Sequence, residues 1–188
     1  MSEKAVKKKR RVKVPRYVAT VYCNGGKNAK KKYEYEEEVL NCQQALEIDP
    51  EGNLECSYGC LGFESCIQAC KFDAIHKNEN GVPEVDEEKC IHCKLCIKAC
   101  PRDLIKTRMA DQTMMPLCSN QDKGALARKE CDVSCIACRM CEKNCPADAI
   151  HVIDNYAVID DDACLVCGKC VTVCPRKLIK DENGIIYA

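Results

Sequence analysis

The 188-residue chain is poor in the side chains from which most domains build a core. Only nine residues are aromatic, seven Tyr and two Phe. The 46% hydrophobic share counts cysteine; without cysteine it falls to about 35%, low for a chain that must bury a core of its own. No apolar run approaches the ~18–20 residues that span a bilayer. No apolar stretch follows the N-terminal MSEKAVKKKRR, so no secretory leader is expected. No G-x-G-x-x-G follows a strand-like run, which removes the usual basis for a nicotinamide or flavin site. No aromatic or helical recognition pattern follows the basic run, which argues against a nucleic-acid partner.

What the chain has instead is cysteine, twenty of them. That much thiol supplies missing core energy through either disulfides or metal centres. Without a leader, the reducing cytoplasm is the expected compartment, and metal is favoured over a disulfide scaffold. The net charge of zero hides an asymmetry: residues 1–32 hold twelve Lys/Arg and one acid, whereas residues 33–188 hold seventeen Lys/Arg and twenty-eight acids. A basic flexible arm, residues 1–15, thus precedes an acidic body. The arm is either a solvated tail or a docking element for an acidic partner or an anionic membrane surface.

The body is a duplication. Cys56, Cys60, Cys66 and Cys70 recur 75 residues later as Cys131, Cys135, Cys141 and Cys145, and Cys90, Cys93, Cys96 and Cys100 recur 74 residues later as Cys164, Cys167, Cys170 and Cys174. Each copy reads as a cysteine loop, a short helix (ESCIQAC; MCEKNC), a hairpin, a second cysteine loop and a second short helix. The hairpins are expected to turn at Glu79-Asn80-Gly81 and at Asp154-Asn155. Strand-like runs ending at Cys23 and Cys118 suggest a strand–helix extension before each unit.

Three runs, Cys90–Pro101, Cys135–Pro146 and Cys164–Pro175, carry C-x2-C-x2-C-x3-C-P, the spacing of bacterial iron–sulfur proteins. Three thiolates on one tight loop hold three corners of a four-iron cube. The fourth cysteine lies on the helix that follows and serves the neighbouring cube. Structural zinc sites pair two C-x2-C knuckles and need only four ligands, so these runs fit zinc badly. Crossed ligation yields four [4Fe–4S] sites: Cys56, Cys60 and Cys66 with Cys100; Cys90, Cys93 and Cys96 with Cys70; Cys135, Cys138 and Cys141 with Cys174; Cys164, Cys167 and Cys170 with Cys145. Ile91, Leu95, Ile97, Leu165 and Val171 are expected to shield them from water. The expected fold is α+β, with two tandem ferredoxin-like 2[4Fe–4S] units, residues 16–110 with the N-terminal extension and residues 111–188.

The first run is irregular. Phe63 stands where the second unit has Cys138, and a phenylalanine cannot ligate iron. Cys56 is the nearest replacement, with Gly59 easing the turn, and Cys42 or Cys23 come next. Cys23, Cys42, Cys118 and Cys131 are left over, read as buried thiols unless the fold makes them converge. Lys71 replaces the proline of the other runs, either as a cation that raises a cluster potential or as a solvated lysine. His76 and His151 are expected to be structural, and His92 a surface neighbour.

The stretches VYCNGG, KYEYEEEVLNC, CSYGCLGFESC and DKGALARKEC, with the repeated cysteine runs, resemble the C-terminal ferredoxin region of the B subunit of the Rnf electron-transport complex, over roughly residues 16–180. That complex moves electrons between ferredoxin and NAD and couples this to ion pumping. The resemblance implies a cytoplasmic electron-transfer subunit with four [4Fe–4S] clusters, not catalytic on its own. It implies partners among the other subunits of an oxidoreductase complex, flavin- or NAD-binding ones included, or a soluble ferredoxin, with peripheral membrane contact through the basic arm as an option. The alternative is a cluster-stabilised scaffold in which electron transfer is secondary.

Overall fold

The computed structural model describes residues 15–36 and 38–181; nearly all of the basic arm, residues 1–14, lies outside them. Secondary structure is short and mixed, as the sparse apolar content requires. In the first unit, strand β1 (Tyr17–Val21) pairs antiparallel with β4 (Ile105–Met109), Tyr17 opposite Met109 and Val21 opposite Ile105. Between them lie helix α1 (Cys42–Ile48), helix α2 (Ser65–Gln68), the hairpin β2 (Ile75–Lys77) and β3 (Pro83–Val85), and helix α3 (Leu95–Ala99).

The second unit repeats this plan. Strand β5 (Met114–Pro116) pairs with β8 (Ile179–Asp181), and between them lie helices α4 (Gly124–Glu130), α5 (Met140–Lys143) and α6 (Lys169–Val173) and the hairpin β6 (Ile150–Ile153) and β7 (Tyr156–Ile159). Both hairpins form at the expected turns. Asp154 and Asn155 both take positive φ, 46° and 66°, the signature of a two-residue type I′ turn, whose twist matches the flanking strands. The segments after the first strand of each unit differ: β1 leads into a 3-10 turn at Gly26–Asn28 and then a long excursion to α1, whereas β5 leads into α4.

Each unit has its own small core. Ala19, Val21, Ile75, Val82 and Ile105 pack with Cys66 and Cys96 in the first; Met114, Ile150, Ala157, Leu178 and Ile179 pack with Cys135, Cys141 and Cys170 in the second. Sulfur therefore fills positions that larger domains give to Leu or Phe. Arg108, 2% exposed, anchors the first sheet: its guanidinium pairs with Glu87 and donates to Thr20 Oγ1 at 3.1 Å and to the Met109 carbonyl at 3.1 Å. Such pairing is what makes a buried charge tolerable.

The two units are stitched together by backbone and side-chain contacts. Lys30 N–H donates to the Glu130 carbonyl at 2.8 Å and Asp132 N–H to the Asn28 carbonyl at 2.9 Å, while Ser119 Oγ donates to the Tyr22 carbonyl at 3.0 Å. Lys180 and Glu84 form an ion pair across the same junction.

Candidate metal centres

The cysteine loops share one backbone form. In the run at Cys90, His92 and Lys94 have φ of 57° and 65°; at Cys135, Ala137 and Arg139 have 53° and 58°; at Cys164, Val166 and Gly168 have 52° and 73°. Two left-handed residues thus flank the middle cysteine of every run and fold seven residues into one tight loop. L-residues are strained in this conformation, and a β-branched one such as Val166 is an outlier. Such strain persists where the surroundings over-determine it, typically at a functional site. The irregular run repeats the form: Gly62 and Glu64, at 81° and 62°, flank Phe63. The loop has the same shape without the middle thiol.

Backbone amides point at sulfur. Ala74 N–H donates to Cys70 Sγ at 3.4 Å, Ala149 N–H to Cys145 Sγ at 3.3 Å and Val166 N–H to Cys164 Sγ at 3.4 Å. The first two depend on a further left-handed residue after the fourth cysteine, Asp73 and Asp148, both at 50°. Hydrogen bonds of this kind stabilise thiolates and tune cluster potentials.

Two of the expected quartets line small cavities in the structure. Cys135, Cys138, Cys141 and Cys174 line one small cavity, with Val152, Ala157 and Leu178 on its apolar wall. Cys145, Cys164, Cys167 and Cys170 line another, with Met114, Ile150 and Ile159. Burial pushes the Cys96 thiol up to about 11, and Cys90, Cys93 and Cys70 are the neighbouring thiols that add to this.

The remaining quartet differs from the sequence expectation. Cys60, Cys66 and Cys100 line a third apolar cavity, and the fourth cysteine on its wall is Cys42, not Cys56. Cys42 opens α1. Asn41 caps this helix by accepting from Gln44 N–H at 2.9 Å, and the Gln44 side chain accepts from Leu40 N–H at 2.9 Å, a variant of the reciprocal capping arrangement. Cys42 N–H donates to Ser65 Oγ at 2.8 Å, tying α1 to the irregular loop. Phe63 packs edge-on against Tyr35, ring centroids 5.4 Å apart, in the cluster that holds Cys42, Ala45 and Leu61. The ring that stands in place of a thiol therefore helps dock the helix that brings another. The sequence signal for this is Asn41-Cys42-Gln43-Gln44, a cap followed by a cysteine.

Cys56 lies elsewhere. Its sulfur accepts from Asn120 Nδ2 at 3.2 Å, and burial pushes its thiol up to about 12, with Cys23 and Cys118 as nearby thiols. Gly59 does not supply an unusual φ; a Cβ there would stand 2.9 Å from Leu54 Cδ1, so its role is close packing. Ile91 and Leu165, expected to shield clusters from water, are 61% and 70% exposed. Lys71 is also exposed. His92 Nε2 lies 2.9 Å from Thr107 Oγ1, His76 Nε2 lies 3.0 Å from the Asp73 carbonyl, and His151 Nδ1 lies 3.6 Å from Glu142 Oε1.

The donor chemistry fits iron–sulfur cubes. All twenty cysteines are free. Among the described residues, no group of three or more His, Cys, Asp or Glu side chains is gathered to hold a single metal ion. Three quartets line small, mainly apolar cavities, a setting that suits the thiolate corners of an iron–sulfur cube. Among the described residues, no helix is long and apolar enough to cross a membrane.

Comparison with known proteins agrees. A 4Fe-4S binding domain matches residues 83–106 and a 4Fe-4S dicluster domain matches residues 134–178. The chain is 44% identical over 166 residues to the B subunit of the Na(+)-translocating ferredoxin:NAD(+) oxidoreductase complex of Acetobacterium woodii, covering 88% of this chain and 49% of that protein. It is 40% identical over 161 residues to the B subunit of the ion-translocating oxidoreductase complex of Methanosarcina acetivorans, covering 85% and 60%. It is also 40% identical over 166 residues to the B subunit of the proton-translocating ferredoxin:NAD(+) oxidoreductase complex of Clostridium ljungdahlii, covering 87% and 58%. The chain spans between about half and three-fifths of the length of these relatives. Its matches to 4Fe-4S ferredoxin-type domains support four [4Fe–4S] clusters, two to a unit, and the chain resembles the B subunit of the Rnf complex.

Proposed function

We propose that this chain relays single electrons within an oxidoreductase complex, between a donor and an acceptor supplied by other subunits or by a soluble ferredoxin. The units are residues 16–110 and 111–188, each with its strand-led extension. The observation that carries the reading is the set of three cysteine quartets lining mainly apolar cavities, on a duplicated plan of cysteine loops. The proposed ligand sets are Cys42, Cys60, Cys66 and Cys100; Cys90, Cys93, Cys96 and Cys70; Cys135, Cys138, Cys141 and Cys174; and Cys164, Cys167, Cys170 and Cys145.

Bound clusters supply one-electron oxidation and reduction. The chain's own residues do the rest. Cys70 and Cys100 follow α2 and α3, which pack together, and each serves the site opened by the other's loop. Two sites are thereby held within one small body. The apolar walls keep water out and favour the less charged state, while the amide bonds to sulfur favour the more negative one. A relay needs this compromise and no substrate pocket, so no catalysis by the chain alone is proposed. The relatives' names supply the nearest precedent for partners, ferredoxin and NAD(+), and a cytoplasmic site, soluble or at the membrane face, accommodates both.

Reduction with dithionite followed by electron paramagnetic resonance tests the reading. Several reducible clusters with magnetic coupling between paired sites are expected. Clusters that load but resist reduction across the potential range of ferredoxins would favour the scaffold role instead.

A further inference from the structure

Once Cys42 completes the first quartet, four cysteines remain: Cys23, Cys56, Cys118 and Cys131. They are two equivalent pairs, one from each unit. Cys23 stands two residues after β1 and Cys118 two residues after β5. Cys56 precedes Cys60 by four residues, as Cys131 precedes Cys135. Their surroundings match too. Tyr22 N–H donates to the Leu104 carbonyl and Leu117 N–H to the Leu178 carbonyl, at 2.8 Å and 3.0 Å. Cys23 Sγ accepts from Cys60 N–H at 3.4 Å, and Cys118 Sγ accepts from Cys135 N–H at 3.3 Å.

The four converge at the junction of the units. The sulfurs of Cys23 and Cys131 each lie 3.6 Å from the point where a Cβ on Gly25 would stand, so they are within about twice that distance of each other. Cys56 has Cys23 and Cys118 as its neighbouring thiols, Cys118 has Cys23, and Cys131 has Cys23. Cys56, Cys118 and Cys131 are buried. The junction is built around them: Ala29 bridges to Cys131, and the backbone bonds from Lys30 to Glu130 and from Asp132 to Asn28 close over the site. Arg176 donates to the Cys131 carbonyl at 2.9 Å, and its counterpart Arg102 donates to the Ser57 carbonyl, bracing the two loops alike.

We propose that Cys23, Cys56, Cys118 and Cys131 hold a fifth [4Fe–4S] cluster, shared between the two units. The sulfurs resemble those of the ferredoxin quartets in two respects. They are free and gathered from several loops. They accept N–H hydrogen bonds, Cys56 from Asn120, Cys23 from Gly25 at 3.5 Å as well as from Cys60, and Cys118 from Cys135. The site also has a place in the relay. It touches the first quartet through Cys60 and the third through Cys135, both of which ligate in the reading above. The four ferredoxin-type sites and this one then form a single path: second, first, shared, third, fourth. Each hop oxidises the site it leaves by one electron and reduces the next by one, with the electron supplied by an external one-electron donor and removed by an external acceptor. Without the shared site, the two units would be two separate pairs.

The inference rests on Cys42, not Cys56, completing the first quartet, and the test separates the two claims. The full chain, prepared anaerobically, is weighed intact by native mass spectrometry and assayed for iron, sulfide and zinc. About twenty iron and twenty sulfide are expected, and no zinc. Cys118→Ser and Cys131→Ser should each lose about four iron, or retain a three-iron form visible by electron paramagnetic resonance, while about sixteen remain. About sixteen iron in the fully loaded chain, unchanged in Cys118→Ser, would overturn the fifth cluster and leave the four-cluster reading intact. So would the same iron count with one zinc that is lost in Cys118→Ser. If Cys56→Ser loses a cluster and Cys42→Ser loses none, the assignment of the first quartet fails and the shared site fails with it.

Discussion

Phe63 changes which residues are needed around it. Its loop keeps the two left-handed flanking residues of the intact runs, but the ring packs on Tyr35 and lines the neighbouring hollow instead of the cavity of Cys60, Cys66 and Cys100. With an aromatic ring there, the thiol must come from another element, and α1 brings Cys42. This makes a rescue experiment possible. Cys42→Ser alone should lose one cube or reduce it to three irons. Phe63→Cys combined with Cys42→Ser should restore about four iron to that site, because the regular C-x2-C-x2-C run is rebuilt on a backbone that already has its shape. Iron counts and electron paramagnetic resonance on the single and double variants check this. A double variant as depleted as the single one would show that the loop no longer presents position 63 to the cluster.

Taken as elements, the cysteine loops are held in a conformation that their side chains disfavour. Val166 is the extreme case, a β-branched residue at φ 52°. Left-handed backbone costs a non-glycine residue roughly 1–3 kcal/mol, whereas glycine loses roughly 0.5–1 kcal/mol to its greater freedom when unfolded. Val166→Gly is therefore expected to stabilise the loaded protein by about 1 kcal/mol, read as a higher midpoint in anaerobic denaturant unfolding with iron content unchanged. A lower midpoint would mean that Val166, half-buried against the second core, contributes more by packing than it costs in strain. The same logic explains why the fourth run uses Gly168 where the others use Lys94 and Arg139: the position is the same, and glycine meets its demand without strain.

Across the molecule, charge is divided along the chain. Residues 1–32 carry an excess of eleven positive charges and the remainder an equal negative excess, which cluster loading deepens, since each oxidised cube with four thiolates is formally about −2. Deletion of residues 2–13 is expected to leave cluster content intact and to weaken association with an acidic partner or anionic vesicles. The effect should be large at low salt and vanish as the Debye length shrinks to a few ångströms near 1 M salt. Co-sedimentation with vesicles and pull-down of complex subunits at two ionic strengths measure it; equal binding by both forms at low salt would make the arm a solvated tail.

The repeat, the hairpins and the shape of the cysteine loops are legible in the chain alone, because they depend on short-range spacing. The seven residues from the first to the third cysteine of a run shape a loop wherever it sits, and Asp154-Asn155 shapes a turn. The partner of the irregular loop is not legible in this way. Cys56 is near Cys60 in sequence, but the distance that matters is through space, and the capped helix α1 brings Cys42 to the cavity instead. Nor does spacing reveal that Cys23, Cys56, Cys118 and Cys131 meet, or that Ile91 and Leu165 face outward. Those facts depend on how β1 pairs with β4, how β5 pairs with β8, and how the two units close on each other through Lys30, Glu130, Asn28 and Asp132. Contacts between residues tens of positions apart leave no spacing rule in the chain; packing alone decides them.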